Sequence, residues 1–362
     1  MSIHRREIFF VFTAIIALVA ATAKGAGGGG ITYQGADGPG KGKHVVFVLN
    51  GKYSSTQDLA VLAEMLAVRY GFTCTALFTT DPNTGAIVHE TRDRELDNID
   101  GLEALDHADL MVISMCARHL PDEQMKHIAD YVESGRPIVG IRFANEAFLY
   151  KQVDPSPYAI YSHARRGPIW NGGFGYNVLG EDFVGHQYHS KANLQSHRCF
   201  IAIGAEEHPI LRGIKDGEIW GRSDVLRVRL PMQHEVFPLL LGQVLCGANK
   251  PDDPPVGVVG EDTPKVDKDV RDRNLPMMPV AWTFPWVTSH GTTARVFNTT
   301  MGDSHDFESD AMRRLFVNAC YWALEMEKQI PEKANVELVS PFGRFRDGVK
   351  PQDLAPMTER AK

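Results

Sequence analysis

Three imidazoles and one guanidinium stand where chemistry could be done. His186 and His189 form an H-x-x-H pair within "GHQYHS", and His305 lies beside Asp303 in "GDSHDFES". An imidazole with an ordinary pKa of about 6.5 changes charge near neutral pH, so each of the three suits proton transfer. Three-residue spacing places two imidazoles on one face of a helical turn but on opposite faces of a strand. With His305 or Asp303 as a third ligand, the pair could hold a divalent metal instead, although nothing in the sequence requires a cofactor. Ordinary hydrogen-bonded histidines are the plain alternative. "GDSHDFES" also reads as a helix start, with Asp303 or Ser304 as cap and acids in the first turn, but capping has no use for an imidazole.

The guanidinium is Arg142, in "RPIVGIRFANEAF". A β-branched run breaks there and helix-like sequence begins. Enzymes with an open α/β sheet often keep a nucleophile or ligand-binding residue at such a strand end. Arginine stays protonated and cannot be a nucleophile. A cation at a helix N-terminus also opposes the macrodipole by about 0.3 to 1 kcal/mol. Two things could offset that: an ion pair with Glu146, four residues on, or a bound oxygen-rich ligand gripped by the guanidinium fork.

The elements that must position these groups follow from periodicity. "HVVFVL" (44–49), "FTCTALF" (72–78), "DLMVIS" (109–114) and "PIVGIR" (137–142) read as buried strands. Between them lie a helix with Leu59, Leu62, Ala63 and Leu66 on one face, stopped by Gly71, and a second helix opened by Pro121 and ended by Gly135. This order implies a parallel sheet with right-handed crossovers and helices on both faces. "CFIAI", "VLRVRL", "PVAWTF" and "ARVFNTT" supply later strands, and 308–327 the final helix. Asn50, His119, Arg142, Asp303 and His305 then all fall just beyond strands, which gathers them at the carboxyl edge. Residues 151–197, rich in Gly, His and aromatics, read as a long insertion over that edge, whose Trp170, Phe174, Tyr176 and Tyr188 could stack on a sugar ring or, for most of them, pack the insertion onto the sheet.

The bulk properties narrow the function. Residues 1–23 combine His4, Arg5 and Arg6 with an apolar run and small residues at Ala21 and Ala23, which reads as a cleaved export signal and places the mature chain in the periplasm or outside the cell. No second apolar run is long enough to span a membrane. Residues 24–43 read as a glycine-rich linker, 44–334 as the domain, 249–274 as a surface loop and 335–362 as a polar tail. A net charge of −7 without a basic stripe excludes nucleic acid as a partner. The five cysteines lie far apart, which argues against a zinc knuckle, and a Cys199–Cys246 disulfide stays open.

"PVAWTFPW", "ARVFNTTMGDSHDFESDAMRRLFVNACYWALEME", "GIRFANEAF" and "FGYNVLGEDFVGHQYH" together resemble the ThuA-like (trehalose utilisation) family in an exported form, over about 44–331. The resemblance implies a flavodoxin-like three-layer α/β fold of the class I glutamine amidotransferase-like superfamily. In true amidotransferases of that superfamily a cysteine nucleophile occupies the place of Arg142, so glutaminase chemistry is not expected here. What it implies instead is carbohydrate metabolism: a trehalose-type or 3-keto-disaccharide, made by a partner sugar dehydrogenase and processed by proton abstraction with elimination or isomerisation. His186, His189 and His305 are then the candidate acid/base residues, and Asn50, His119, Arg142, Glu146 and Asp303 the candidate substrate contacts. A non-catalytic sugar-binding protein and a metal-assisted hydrolase are the alternatives.

Overall fold

Buried, β-branched runs separated by helices assemble as the periodicity predicts, with the strand that begins at His44 well inside the sheet. The computed structural model describes residues 23–26, 29–50, 57–88, 96–187, 195–247, 250–256, 273–345 and 348–354. The export signal lies outside these residues, apart from Ala23. The chain runs through β1 (Ala23–Ala26), β2 (Gly30–Tyr33), β3 (His44–Asn50), α1 (Ala60–Tyr70), β4 (Thr73–Phe78), β5 (Leu110–Met115), α2 (Asp122–Glu133) and β6 (Ile138–Ile141). The insertion holds α3 (Gly173–Val178) and β7 (Gly185–His186). Then come β8 (Gln195–Ile201), β9 (Trp220–Gly221), β10 (Leu226–Arg227), β11 (Phe237–Cys246), β12 (Met278–Val287), β13 (Thr293–Thr299) and α4 (Asp310–Ala323).

Among the described residues one large sheet has the order β1-β2-β4-β3-β5-β6-β13-β12-β11-β8-β9. Its central strands, β4 to β13, pair in parallel, and the flanks are antiparallel. Helices α1 and α4 cover one face, where Phe47, Leu62 and Phe316 pack, and α2 covers the other, where Val46, Ile128 and Trp282 pack. This is the expected three-layer α/β architecture with a mostly parallel central sheet. Gly71 closes α1 in the left-handed conformation (φ 78°), with its N–H on the Ala67 carbonyl, which is why the helix stops where it does.

Three expectations need correction, one strand was missed, and one open question is closed. Residues 24–43 are not simply a tether: β2 pairs antiparallel with β4, and Ile31 and Tyr33 are buried. Two apolar side chains at alternate positions anchor the strand despite its glycine-rich surroundings. The insertion ends earlier than 197, because β8 starts at Gln195, and β11, ten residues long, went unread. Its Pro238 and Gly242 blur the alternation, and a register irregularity near Leu240 breaks it further. The final helix is shorter, Asp310–Ala323, with Ser309 as its N-cap. Cys199 and Cys246 are buried free thiols: Cys199 sits opposite Gly242, four residues along β11 from Cys246, too far for a bridge.

The tail wraps back over the amino-terminal half. Phe345 is fully buried and stacks on Phe78 (centroids 5.5 Å apart), its N–H reaches Asp58, and Arg344 pairs with the buried Glu64. Phe345→Ala is expected to cost about 3–5 kcal/mol in denaturant unfolding, the range for a large core aromatic. A cost under about 1 kcal/mol would show that the tail merely rests on the surface.

Candidate functional site

Arg142 has a left-handed backbone (φ 57°), the conformation of a sharp strand-to-turn elbow, and it opens a five-residue 3-10 turn (Arg142–Glu146) rather than an α-helix. So short a turn carries little macrodipole, and the opposition expected from sequence is correspondingly weak. The side chain is buried. One guanidinium nitrogen donates to the carbonyls of Asp224 and Thr300, both at 2.9 Å, and another forms a short ion pair with the Asp224 carboxylate. Its carbon lies 4.5 Å above the Phe143 ring, and Nε has no acceptor among the described residues. The offsetting anion is thus Asp224, not Glu146, and most of the fork is spent inside the protein rather than held open for a ligand.

Asp224 is the joint of the site. Its second oxygen makes a short contact to His186 Nδ1, so a single carboxylate holds Arg142 on one side and the imidazole on the other. The small antiparallel pair β7–β10 produces this meeting. Leu226 lies opposite His186, and the Gln187 N–H binds the Val225 carbonyl, which draws the insertion onto the segment that follows Asp224. His186 therefore stands on a strand, not a helical turn, and is 38 % exposed while Asp224 is almost covered. His189 lies outside the described residues.

The electrostatics agree with the geometry. Burial pushes the Asp224 carboxyl up, but the Arg142 guanidinium and the His186 hydrogen bond outweigh it and hold the group well below the usual carboxylate range. The hydrogen bond to Asp224 raises the His186 pKa, against burial and the nearby Arg142 charge. Burial alone would lower Arg142, yet Asp224, Asp306 and Asp303 more than compensate. Behind this cluster, buried Asp306 accepts Ser223 Oγ (2.5 Å) and the N–H groups of Ser223 and Gly302 (3.0 and 2.9 Å), which fixes the segment carrying Asp224.

The other predicted residues lie partly beside this cluster and partly away from it. Glu146 Oε1 is 3.6 Å from Cys116 Sγ and acts electrostatically on His186. Cys116, Phe143 and Leu226 form an apolar wall beside them. Asp303 and His305 pair with each other (2.9 Å) at the rim, with the imidazole exposed. Asn50 is buried at the end of β3, its Nδ2 without an acceptor among the described residues, and β5 lies between β3 and β6. His119 belongs to a neighbouring cleft. Among the described residues no group of three or more His, Cys, Asp or Glu side chains is placed to hold a metal ion. Phe174 and Trp170 pack the insertion down against Tyr161, and Tyr176 lies under Arg229.

Asp224 and Ser223 went unnoticed in the sequence, and Asp306, read there as an acid in a helix's first turn, instead accepts from Ser223 and Gly302. "GRSDVLRV" carries no motif, and the only signal available was a polar Ser-Asp pair opening a strand-like stretch. The expected strand Val225–Leu230 itself forms only the Leu226–Arg227 bridge.

The insertion also buries Glu181 and Asp182 side by side. Burial pushes the Glu181 carboxyl up to about 7, although the Gln233 N–H bonds to it and Arg229 lies near. One oxygen of each acid has no partner among the described residues. The folded state then holds the Glu181 proton more tightly than the unfolded chain, so stability falls as pH rises from about 4.5 to about 7. Glu181→Gln is expected to flatten that slope and raise stability at pH 8 by about 1–3 kcal/mol, measured as thermal unfolding at several pH values. An unchanged slope would show that the carboxyl is solvated.

No protein-family model matches the sequence, and no match to a curated protein was found. The chain is similar in structure to a protein from Bacteroides uniformis described as thua-like, at 16 % identity and a TM-score of 0.45, over 80 % of this chain and 93 % of that one. It is also similar to another so described from Parabacteroides merdae, at 14 % identity and 0.46, over 86 % and 98 %. Both bear the family name that the sequence motifs resemble.

Proposed function

We propose that this protein is an exported carbohydrate-processing enzyme of the ThuA-like kind, which abstracts the proton beside a ketone in a trehalose-type 3-keto-disaccharide. The single observation that carries this reading is the Arg142–Asp224–His186 chain: a partly exposed imidazole, oriented by a buried carboxylate that is itself fixed by a buried guanidinium. Such an arrangement suits a general base better than a structural histidine, because a buried carboxylate sets both the ring orientation and its basicity.

In this reading His186 removes the C2 proton through Nε2, the ring nitrogen that Asp224 does not hold. The electron pair moves to the C3 oxygen as an enolate. Collapse of the enolate forms the C1–C2 double bond and expels the glycosidic oxygen, which His305 protonates at the rim. Return of a proton to the enediol instead isomerises the sugar. Arg142 acts through Asp224 and is a positioning residue. A sugar dehydrogenase would supply the ketone, and the basic and apolar N-terminus supports export.

Incubating purified protein with 3-keto-trehalose, and separately with trehalose, should release glucose or a rearranged sugar from the keto form. Turnover of neither removes the enzymatic reading. Ligand-induced thermal stabilisation without product would favour a sugar-binding protein, a reading that the arginine in the elbow also supports.

A further inference from the structure

Two segments leave the carboxyl edge of the sheet side by side. Cys116 to His119 follows β5, and Glu146 to Lys151 continues from β6. They are zipped together by Ala117 N–H to Glu146 O (2.8 Å), Arg118 N–H to Ala147 O (2.8 Å) and Leu149 N–H to Arg118 O (2.9 Å), with a parallel bridge between Arg118 and Phe148. One end of this ribbon carries Cys116 and Glu146, beside His186. The other carries His119 and Tyr150, whose rings lie 4.4 Å apart.

That far end opens a cleft of about 460 Å³ lined by Asp97, Ala117, His119, Leu149, Tyr150 and Lys151. A second hollow of about 440 Å³ shares His119 and Lys151 and continues to Asp154 and Ser156. Ala117 belongs to both places, since it lines the cleft and also packs against Cys116, Phe143 and Leu226. Cys116 and His119 are three residues apart, and the left-handed bend at Ala117 (φ 53°) keeps them within about 10 Å, a reach that linked sugar rings bridge.

The lining narrows the ligand class. Asp97 accepts hydrogen bonds and is held by Arg118 at 3.3 Å, Lys151 and His119 offer donors from exposed positions, and Leu149 and Ala117 supply an apolar wall. Asp154 lies 3.8 Å from His119, so acids surround the cations and a free anion would be repelled. Mixed polar groups over an apolar wall suit a neutral polyhydroxyl ligand. We infer that this cleft is a second carbohydrate subsite, which holds the sugar unit next to the one that reacts at His186. The inference rests on the proposed function.

Calorimetric titration in a His186→Gln background, where turnover is slow, tests it with 3-keto-trehalose and 3-keto-glucose as probes. The disaccharide is expected to bind at least about tenfold more tightly. His119→Ala and Lys151→Ala, both at exposed positions, should each erode that advantage and leave the monosaccharide affinity unchanged. Equal affinity for both sugars, or equal weakening of both by His119→Ala, overturns the subsite while the proposed function stands. Binding of neither sugar removes the proposed function and the subsite with it.

Discussion

Asp224→Ala is expected to destabilise the protein by about 3–5 kcal/mol in denaturant unfolding, because it leaves the buried Arg142 charge without its carboxylate. It should also abolish measurable turnover of a keto-disaccharide. Loss of stability alone would explain lost activity, so the double replacement Arg142→Met with Asp224→Leu is the informative partner. Replacing both members of a buried pair by apolar groups of similar volume is often neutral or better, so stability should largely return. Activity should not, since His186 then loses the carboxylate that holds its Nδ1. Recovery of both would mean that the pair only holds the fold together. The pH dependence has a definite sign: the Asp224 carboxyl is depressed, so its contribution is present above its unfolded pKa of about 4 and is lost as pH falls below that value.

His186→Gln should lower turnover by about 10² to 10⁴, the usual contribution of a positioned general base. Its effect on stability should be small near pH 8, because the group is partly exposed and its pKa is raised. A raised folded pKa contributes stability that is full below about 6.5 and lost as pH rises through the folded value. As a base, the imidazole works when deprotonated, so kcat/KM should climb with pH through an inflection above its ordinary value. Asp224→Asn removes the group that raises it and should move the inflection to lower pH. An inflection unmoved by Asp224→Asn, or full activity in His186→Gln, would assign the chemistry to another residue.

Much of the fold was legible because it is written locally. The runs at His44, Thr73, Leu110 and Ile138 are short, β-branched and buried on both faces, and Gly71 and Pro121 mark helix ends by backbone chemistry alone. β2 and β11 were missed because their signal is weak in isolation: one sits among glycines, and the other has proline and glycine inside it and a register irregularity. The site was half legible. A strand end followed by Arg142, and a histidine in a glycine-rich insertion, both point to an edge of the sheet.

The amino-acid sequence by itself determined the layered α/β plan and the presence of a permanent cation where the chain turns out of β6, because periodicity and side-chain chemistry act over a few residues. Only the tertiary structure decided what that cation touches. Asp224 lies 82 residues from Arg142 and 38 from His186, and it reaches both because β7 and β10 pair across the insertion. Glu146, the nearer acid, faces Cys116 instead. Proximity along the chain suggested the wrong partner, since ion pairing in a buried site is settled by which backbone segments hydrogen-bond to each other.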